Sequence, residues 1–375
     1  MPHKPFRLDS TFSKKPTVFD LRFIAESEVF RYGISYDADR IHEEWLDVYD
    51  EKKDRSVFSR SNSENGDVVI EFGSSGKDVP SQIKSLAGSG IRPSQSFLAE
   101  IVDRDEETQG PRLQRVINWF KRTLAVIEPD ARFRGLVETI STDEKFARFA
   151  AKFLREASTG ITDIRVTKTA VPRKKLPPLP KEVEDAVDAS DDAVAITYGR
   201  DGEEIILDAS KKDIIRFHRI LAKHHGTKGQ TVTFPLHEES DGTCRLLHLL
   251  PALYRLGENG GVFVVDELER SMHPALARKF IEFFLKATNA AGSQLIFTTH
   301  ESTLLDLELM RRDGIWFAER DDAGASHLYS LADFNVRKDL DIEKGYFAGR
   351  FGAIPFLGGI DRLMEDETVT AEVGA

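Results

Sequence analysis

The stretch GVFVVDE (261–267), HPALARKFIEFFLKAT (273–288), SQLIFTTH (293–300) decides the fold. Two short, wholly apolar runs rich in β-branched residues flank a segment of helical period, the pattern of a parallel βαβ unit buried on both faces. Upstream lie a strand, TVTFPL (231–236), a polar turn, HEESDGT (237–243), and a helix, CRLLHLLPALYRLG (244–257). The expected fold class is α/β, with a mostly parallel sheet flanked by helices. In such sheets ligands gather at the carboxyl ends of the strands, where Asp266, Glu267 and His300 fall.

Further upstream the rhythm differs. FDLRFIA (19–25), VFRYGISYD (29–37), SVFSR (56–60) and DVVIEFG (67–73) alternate as strands do, so residues 1–90 are expected to be β-rich. Residues 91–165 read as a helical insertion, with Ile117, Phe120 and Leu124 on one face and Phe146, Phe149, Phe153 and Leu154 on another. Residues 166–192, ending in PRKKLPPLPKEVEDAVDASDD (172–192), have the composition of a linker. Residues 193–357 begin with a hairpin-like pair, AVAITYG and EEIILDA, and a helix, DIIRFHRILAKHH (213–225), and carry the βαβ unit; 358–375 form a tail.

Composition narrows the function classes. The chain has 375 residues, 40% hydrophobic and 31% charged, and a net charge of -11, which argues against coating nucleic acid by bulk charge and leaves open a local basic stripe. A single cysteine, Cys244, excludes an internal disulfide framework and a four-cysteine metal site. The start MPHKPFRLDS has no apolar signal core, and no apolar run approaches the roughly 18 residues needed to span a bilayer. A cytoplasmic protein without a membrane segment is expected.

The chemistry sits in three pieces. Burial ends where charge begins at Asp266 and Glu267: nucleotide hydrolysis uses one carboxylate for a magnesium ion, here Asp266, and the next, here Glu267, to polarise the attacking water. His300 ends the following strand, within reach of the same ligand, where it can bond a terminal phosphate. Ser240, Asp241, Gly242 and Thr243 open a helix whose first N–H groups make a ready anion site. Each alone has a bland explanation, as a strand-end acid, a helix cap or an N-cap; the order of all three is what is specific. His218, His224, His225, His237 and His248 crowd Cys244 without matching a zinc spacing.

From Ser240 to His300 the chain resembles the ABC ATPase head shared by ABC transporters and SMC-type repair and chromosome proteins. SDGT is similar to its signature, FVVDE to its Walker B, ERSMHP (269–274) to its D-loop, and His300 to its switch histidine. More narrowly it resembles the prokaryotic "AAA family ATPase" proteins of abortive-infection and restriction-associated defence systems, through FRYGI (30–34), EEWL (43–46), ESDGT (239–243), DELERSMHP (266–274), QLIFTTHESTLLD (294–306), RRDGIWFAER (311–320), SLADF (330–334) and YFAGRFGAIPF (346–356). The resemblance implies a P-loop NTPase of ABC-head type that uses ATP and Mg2+ and pairs head to tail as a homodimer with ATP between the heads. It implies Ser240, Gly242 and Thr243 acting in trans on the partner's nucleotide, Ser271 and His273 beside it in the D-loop, and a separate effector protein.

No G-x-x-x-x-G-K-S/T loop occurs in the sequence. The nearest imitation, GSSGKD (73–78), has two residues between its glycines and an aspartate where a hydroxyl should stand, and reads as a polar hairpin turn. In the family the P-loop precedes the segment matching PFRLDSTFSKKPTVFDLRF (5–23), so the chain is expected to begin just after it. Two alternatives accompany the ATPase switch: an SMC-like DNA repair ATPase, disfavoured by the short helical insertion and the lack of heptads, and a catalytically inactive subunit that lends its signature surface in trans.

Overall fold

The computed structural model describes residues 3–50, 53–63, 67–86, 91–172, 181, 194–196, 203–207, 214–288, 292–336 and 341–354. They fall into two compact units, one from the residues up to Arg115 together with those from Ser302 onward, the other Val116–Glu301. The stretches 173–180 and 182–192, most of the expected linker, and the tail 358–375 lie outside the described residues, whereas residues 166–172, also expected as linker, belong to the strand Ile161–Pro172.

The first unit opens with an antiparallel meander, β1 (Thr17–Ala25), β2 (Glu28–Tyr36), β3 (Ile41–Asp50), β4 (Lys53–Asn62) and β5 (Val68–Phe72), paired in that order. The two-residue period puts Glu44, Leu46 and Val48 of β3 at buried positions. A buried carboxylate needs partners, and Glu44 accepts the amides of Phe97 (2.6 Å) and Leu98 (3.0 Å) and the Tyr32 hydroxyl (3.0 Å), with Arg60 at 3.6 Å. Burial pushes the Glu44 carboxyl above its usual range.

GSSGKD is the exit turn from β5 rather than a hairpin: the amides of Gly73 and Ser75 donate to Val57 and Ser56 of β4, and Asp78 pairs with Arg112. Short helices α1 (Ser81–Leu86), α2 (Phe97–Ile101), α3 (Glu106–Gln109) and α4 (Pro111–Asn118) follow.

In the second unit a π-turn, Trp119–Thr123, leads to strand β6 (Leu124–Ile127). This corrects the helical placement of Leu124: the residue opens a strand, because Leu124–Ile127 pair in parallel with the Walker B-like segment. Helices α5 (Leu136–Thr142) and α6 (Glu144–Glu156) come next, then β7 (Ile161–Pro172), β8 (Val194–Ile196), β9 (Glu203–Leu207), β10 (Ile214–His225) and β11 (Thr231–Pro235).

The stretch expected as the helix DIIRFHRILAKHH is β10. It pairs with β7 along one edge and with β9 and β11 along the other, and three partners override a local helical pattern. Its buried residues, His218, Ile220 and Ala222, recur every second position, as a strand requires.

The unit ends with α7 (Asp241–Asn259), β12 (Val262–Val265), α8 (Pro274–Thr288) and β13 (Gln294–Phe297). A three-stranded parallel sheet in the order β13-β12-β6 results, the α/β architecture expected from the sequence. One row, Phe263 and Val265, is buried, Phe263 lying edge-on to Phe284 of α8. The opposite row, Val126–Val264–Ile296 in register, leaves Val126 63% and Ile296 49% exposed.

The first unit resumes with the hairpin β14 (Trp316–Arg320) and β15 (Ser326–Ser330) and helix α9 (Ile342–Phe347). Phe317 stacks on Tyr346 (5.9 Å, 9°) and on Phe351 (5.7 Å, 12°), and the Tyr329 hydroxyl donates to the Phe351 carbonyl at 2.7 Å. The described part of YFAGRFGAIPF therefore closes a local core.

Candidate functional site

β12 and β13 run side by side, so their carboxyl ends deliver Asp266 and Glu267 from one strand and Thr298 to His300 from the other into the same turn region. The Thr298 hydroxyl donates to Asp266 Oδ1 (2.5 Å) and accepts the Glu267 amide (2.8 Å). The main chain adds Leu268 N–H to the Thr298 carbonyl (3.1 Å) and Asp266 N–H to the Ile127 carbonyl at the end of β6 (2.9 Å). Glu267 sits at φ 46, in the left-handed region that non-glycine residues avoid, which marks a turn held by its surroundings. Asp266 and His300 are exposed and Glu267 is half-buried.

His300 is placed through its backbone, whose amide donates to Glu269 Oε1 at 2.8 Å. Arg270 reaches from the same turn to Asp130 (2.9 Å) and Glu267 (3.4 Å). His273 sits at the start of α8, its Nδ1 accepting the Ala275 amide (3.2 Å).

Ser240 caps α7. Its hydroxyl accepts the Thr243 amide (3.2 Å) and bonds the Thr243 hydroxyl (2.9 Å), the local chemistry that starts a helix here. Ser240 and Asp241 are exposed, whereas Gly242 and Thr243 are buried. A Cβ on Gly242 would lie 2.4 Å from the Ser271 carbonyl oxygen, so the glycine lets the D-loop-like segment pass against the helix start. The sequence pieces SDGT and ERSMHP thus meet within the chain.

Two of the histidines near Cys244, and the cysteine itself, have separate partners. His224 pairs with Glu239 (2.7 Å), His248 Nδ1 accepts the Phe133 amide (3.0 Å), and Cys244 Sγ donates to the Leu236 carbonyl (3.3 Å). Among the described residues no group of three or more His, Cys, Asp or Glu is placed to hold a metal ion.

Three contributors escape the sequence motifs. Thr298 stands inside FTTH, and only the strand register gives it a role. The loop after β6, with Glu128 and Asp130, is invisible while 124–127 read as helix. Arg245 did carry a signal, as an arginine set directly between Cys244 and the apolar pair Leu246 and Leu247. It is buried, and burial holds its pKa below the ordinary arginine range.

The chain matches, over residues 4–306, the family described as "AAA domain, putative AbiEii toxin, Type IV TA system". No curated protein sequence matches it. Similar solved structures include the SMC head domain from Thermotoga maritima, 10% identical over 81% of this chain and 74% of that one, with a TM-score of 0.29. Another is the SmcHead bound to the C-winged helix domain of ScpA, 13% identical over 81% and 76%, with a TM-score of 0.32. Among the described residues no helix is long and apolar enough to cross a membrane.

Proposed function

This chain belongs to the AAA-domain family that it matches over residues 4–306, and on that premise we propose that it is an ATP-hydrolysing switch of ABC type. The observation that carries the reading is the Thr298-bridged pair Asp266–Glu267 at the ends of adjacent parallel strands. An exposed carboxylate at a strand end is a hard oxygen donor that fits Mg2+, and Asp266 is the residue that would hold it. Held there, the ion would supply positive charge against the phosphates. Glu267, half-buried beside it, orients a water and accepts its proton, and His300 reaches toward the same ligand from the neighbouring strand.

The phosphate cradle comes, in this proposal, from outside these 375 residues. Two observations support it: GSSGKD is spent as a β5 turn, and among the described residues Val126 and Ile296, on one face of the parallel sheet, are exposed, whereas such sheets normally carry helices on both faces. Ser240, Gly242 and Thr243 at the start of α7, with Ser271 and His273, then face a second copy's nucleotide in a homodimer. The family resemblance supports, as part of this proposal, a role in phage defence through a separate effector.

The absent P-loop favours one second reading, an inactive subunit that completes another protein's site. The two separate in an ATPase assay. The 375-residue chain should hydrolyse ATP weakly or not at all, and the same chain joined to a segment bearing G-x-x-x-x-G-K-S/T should show magnesium-dependent turnover that Glu267→Gln abolishes. Turnover that survives Glu267→Gln sinks the assignment of Glu267; silence of the joined form supports the inactive subunit.

A further inference from the structure

Arg245 lies in the first turns of α7, flanked by Cys244, Leu246, Leu247, Leu249 and Leu250, all buried, and is itself only 7% exposed. A cation in such a place is costly unless its donors are used. The two terminal nitrogens of Arg245 donate to main-chain carbonyls, Nη1 to Glu128 (3.1 Å) and, at the long end of the range, to Ala131 (3.5 Å), and Nη2 to Asp266 (3.4 Å), while the buried Nε is left without a hydrogen-bond partner among the described residues. Packing alone does not call for an arginine here, since a leucine would continue the apolar face of the helix. What the planar fork adds is reach to two segments at once, the loop that leaves β6 and the end of β12.

Those two segments are the walls of the carboxylate site. The Asp266 amide already bonds the Ile127 carbonyl. Arg245 adds a buried tie between the same two segments, and Arg270 an exposed one through Asp130 and Glu267. Through space the Arg270 cation repels Arg245, and the Asp130 and Glu267 carboxylates attract it.

We infer that Arg245 is a positioning residue: its guanidinium fixes the main chain at Asp266 against the loop after β6, and so sets where the Asp266–Glu267 pair points. The inference rests on the reading of that pair as the hydrolysis carboxylates, but its first test does not. Hydrogen–deuterium exchange on the 375-residue chain reads the amides of residues 266–272, which include Asp266 bonded to Ile127, Leu268 to Thr298 and Arg270 to Glu267.

Arg245→Met should raise exchange there by about tenfold or more, the scale expected when bonds to a charged donor are lost, with β10 and α6 unchanged. Arg245→Lys keeps the charge without the fork and should fall between; if the Met variant does not fold, the Lys variant carries the test. Unchanged exchange at 266–272, or an equal rise throughout the unit, overturns the inference. In a form that turns over ATP, Arg245→Lys should lower kcat while KM stays within about twofold, and a change in KM alone counts against positioning. If no form turns over ATP, the nucleotide reading fails and the exchange result still decides the role of Arg245.

Discussion

The Thr298 hydroxyl joins the two acids of the site, donating to Asp266 Oδ1 at 2.5 Å while accepting the Glu267 amide at 2.8 Å. One hydroxyl is thereby used as donor and acceptor at once, and it comes from the strand next to the one that carries the acids. Thr298→Val keeps the shape and removes both bonds. The site is exposed, so the expected loss is about 1 kcal/mol of unfolding free energy in urea. Thr298→Ser keeps the hydroxyl and should stay within about 0.5 kcal/mol. Equal losses for Val and Ser would show that the methyl group, not the hydroxyl, is what matters.

Gly242 makes a steric prediction. Its backbone lies outside the left-handed region, so only space is at stake, and the Ser271 carbonyl oxygen stands 2.4 Å from where a Cβ would be. Carbonyl backbone yields poorly, and Ser271 is itself held at φ 60. Gly242→Ala should cost about 1–3 kcal/mol, read as a fall in the urea midpoint, while Asp241→Ala at the exposed neighbour stays within about 0.5 kcal/mol. A neutral Gly242→Ala would mean that the segment around Ser271 moves freely away from α7.

How far the sequence reaches is clear from these residues. FVVD and LIFTT are legible because a short apolar run cut off by polar residues marks a parallel strand, although only one row, Phe263 and Val265, is buried and not both faces as the pattern suggests. LAVI (124–127) carries the same signal more weakly, since four residues after a helical stretch extend that helix's period as well as they start a strand. With β6 hidden, Glu128, Asp130 and the tie from Arg245 to Glu128 and Ala131 are hidden too. DIIRFHRILAKHH misleads for a different reason: its charged residues allow either period, and the choice is made by β7, β9 and β11, far away in sequence. Thr298 shows a third limit, because the sequence places it in a motif but only the register puts its hydroxyl between two acids.

The stretch from Tyr346 to Ile354 provides a paired test of core against surface. Phe351 is 1% exposed and stacks on Phe317, whereas Phe347, four residues before it, is 66% exposed. Phe351→Ala should cost about 3–5 kcal/mol, the usual loss for emptying a buried aromatic site. Phe347→Ala should change stability by less than about 0.5 kcal/mol. Differential scanning calorimetry of both variants checks the pair. A mild effect at Phe351 would mean that its stacking on Phe317 is not what closes this local core.

Asp37 yields a prediction with a definite sign in pH. Burial alone would raise its carboxyl, but the amides of Arg40 (2.9 Å) and Asp39 (2.8 Å) and the His42 ring (2.6 Å) outweigh that and bring it down from 3.8 to about 2. A carboxylate depressed in the folded state binds its proton more readily when unfolded, so the stability it lends is complete above 3.8 and disappears as pH falls from there toward 2. The side chain is about one-third exposed, and solvent screening reduces the full linkage value to about 1 kcal/mol. Asp37→Asn keeps an oxygen for the two amides and loses the charge. Urea unfolding of both proteins between pH 2.5 and 5 should show a gap that opens with rising pH and levels off above about 4.5. A gap of constant size across that range would mean that the hydrogen bonds matter and the ionisation does not.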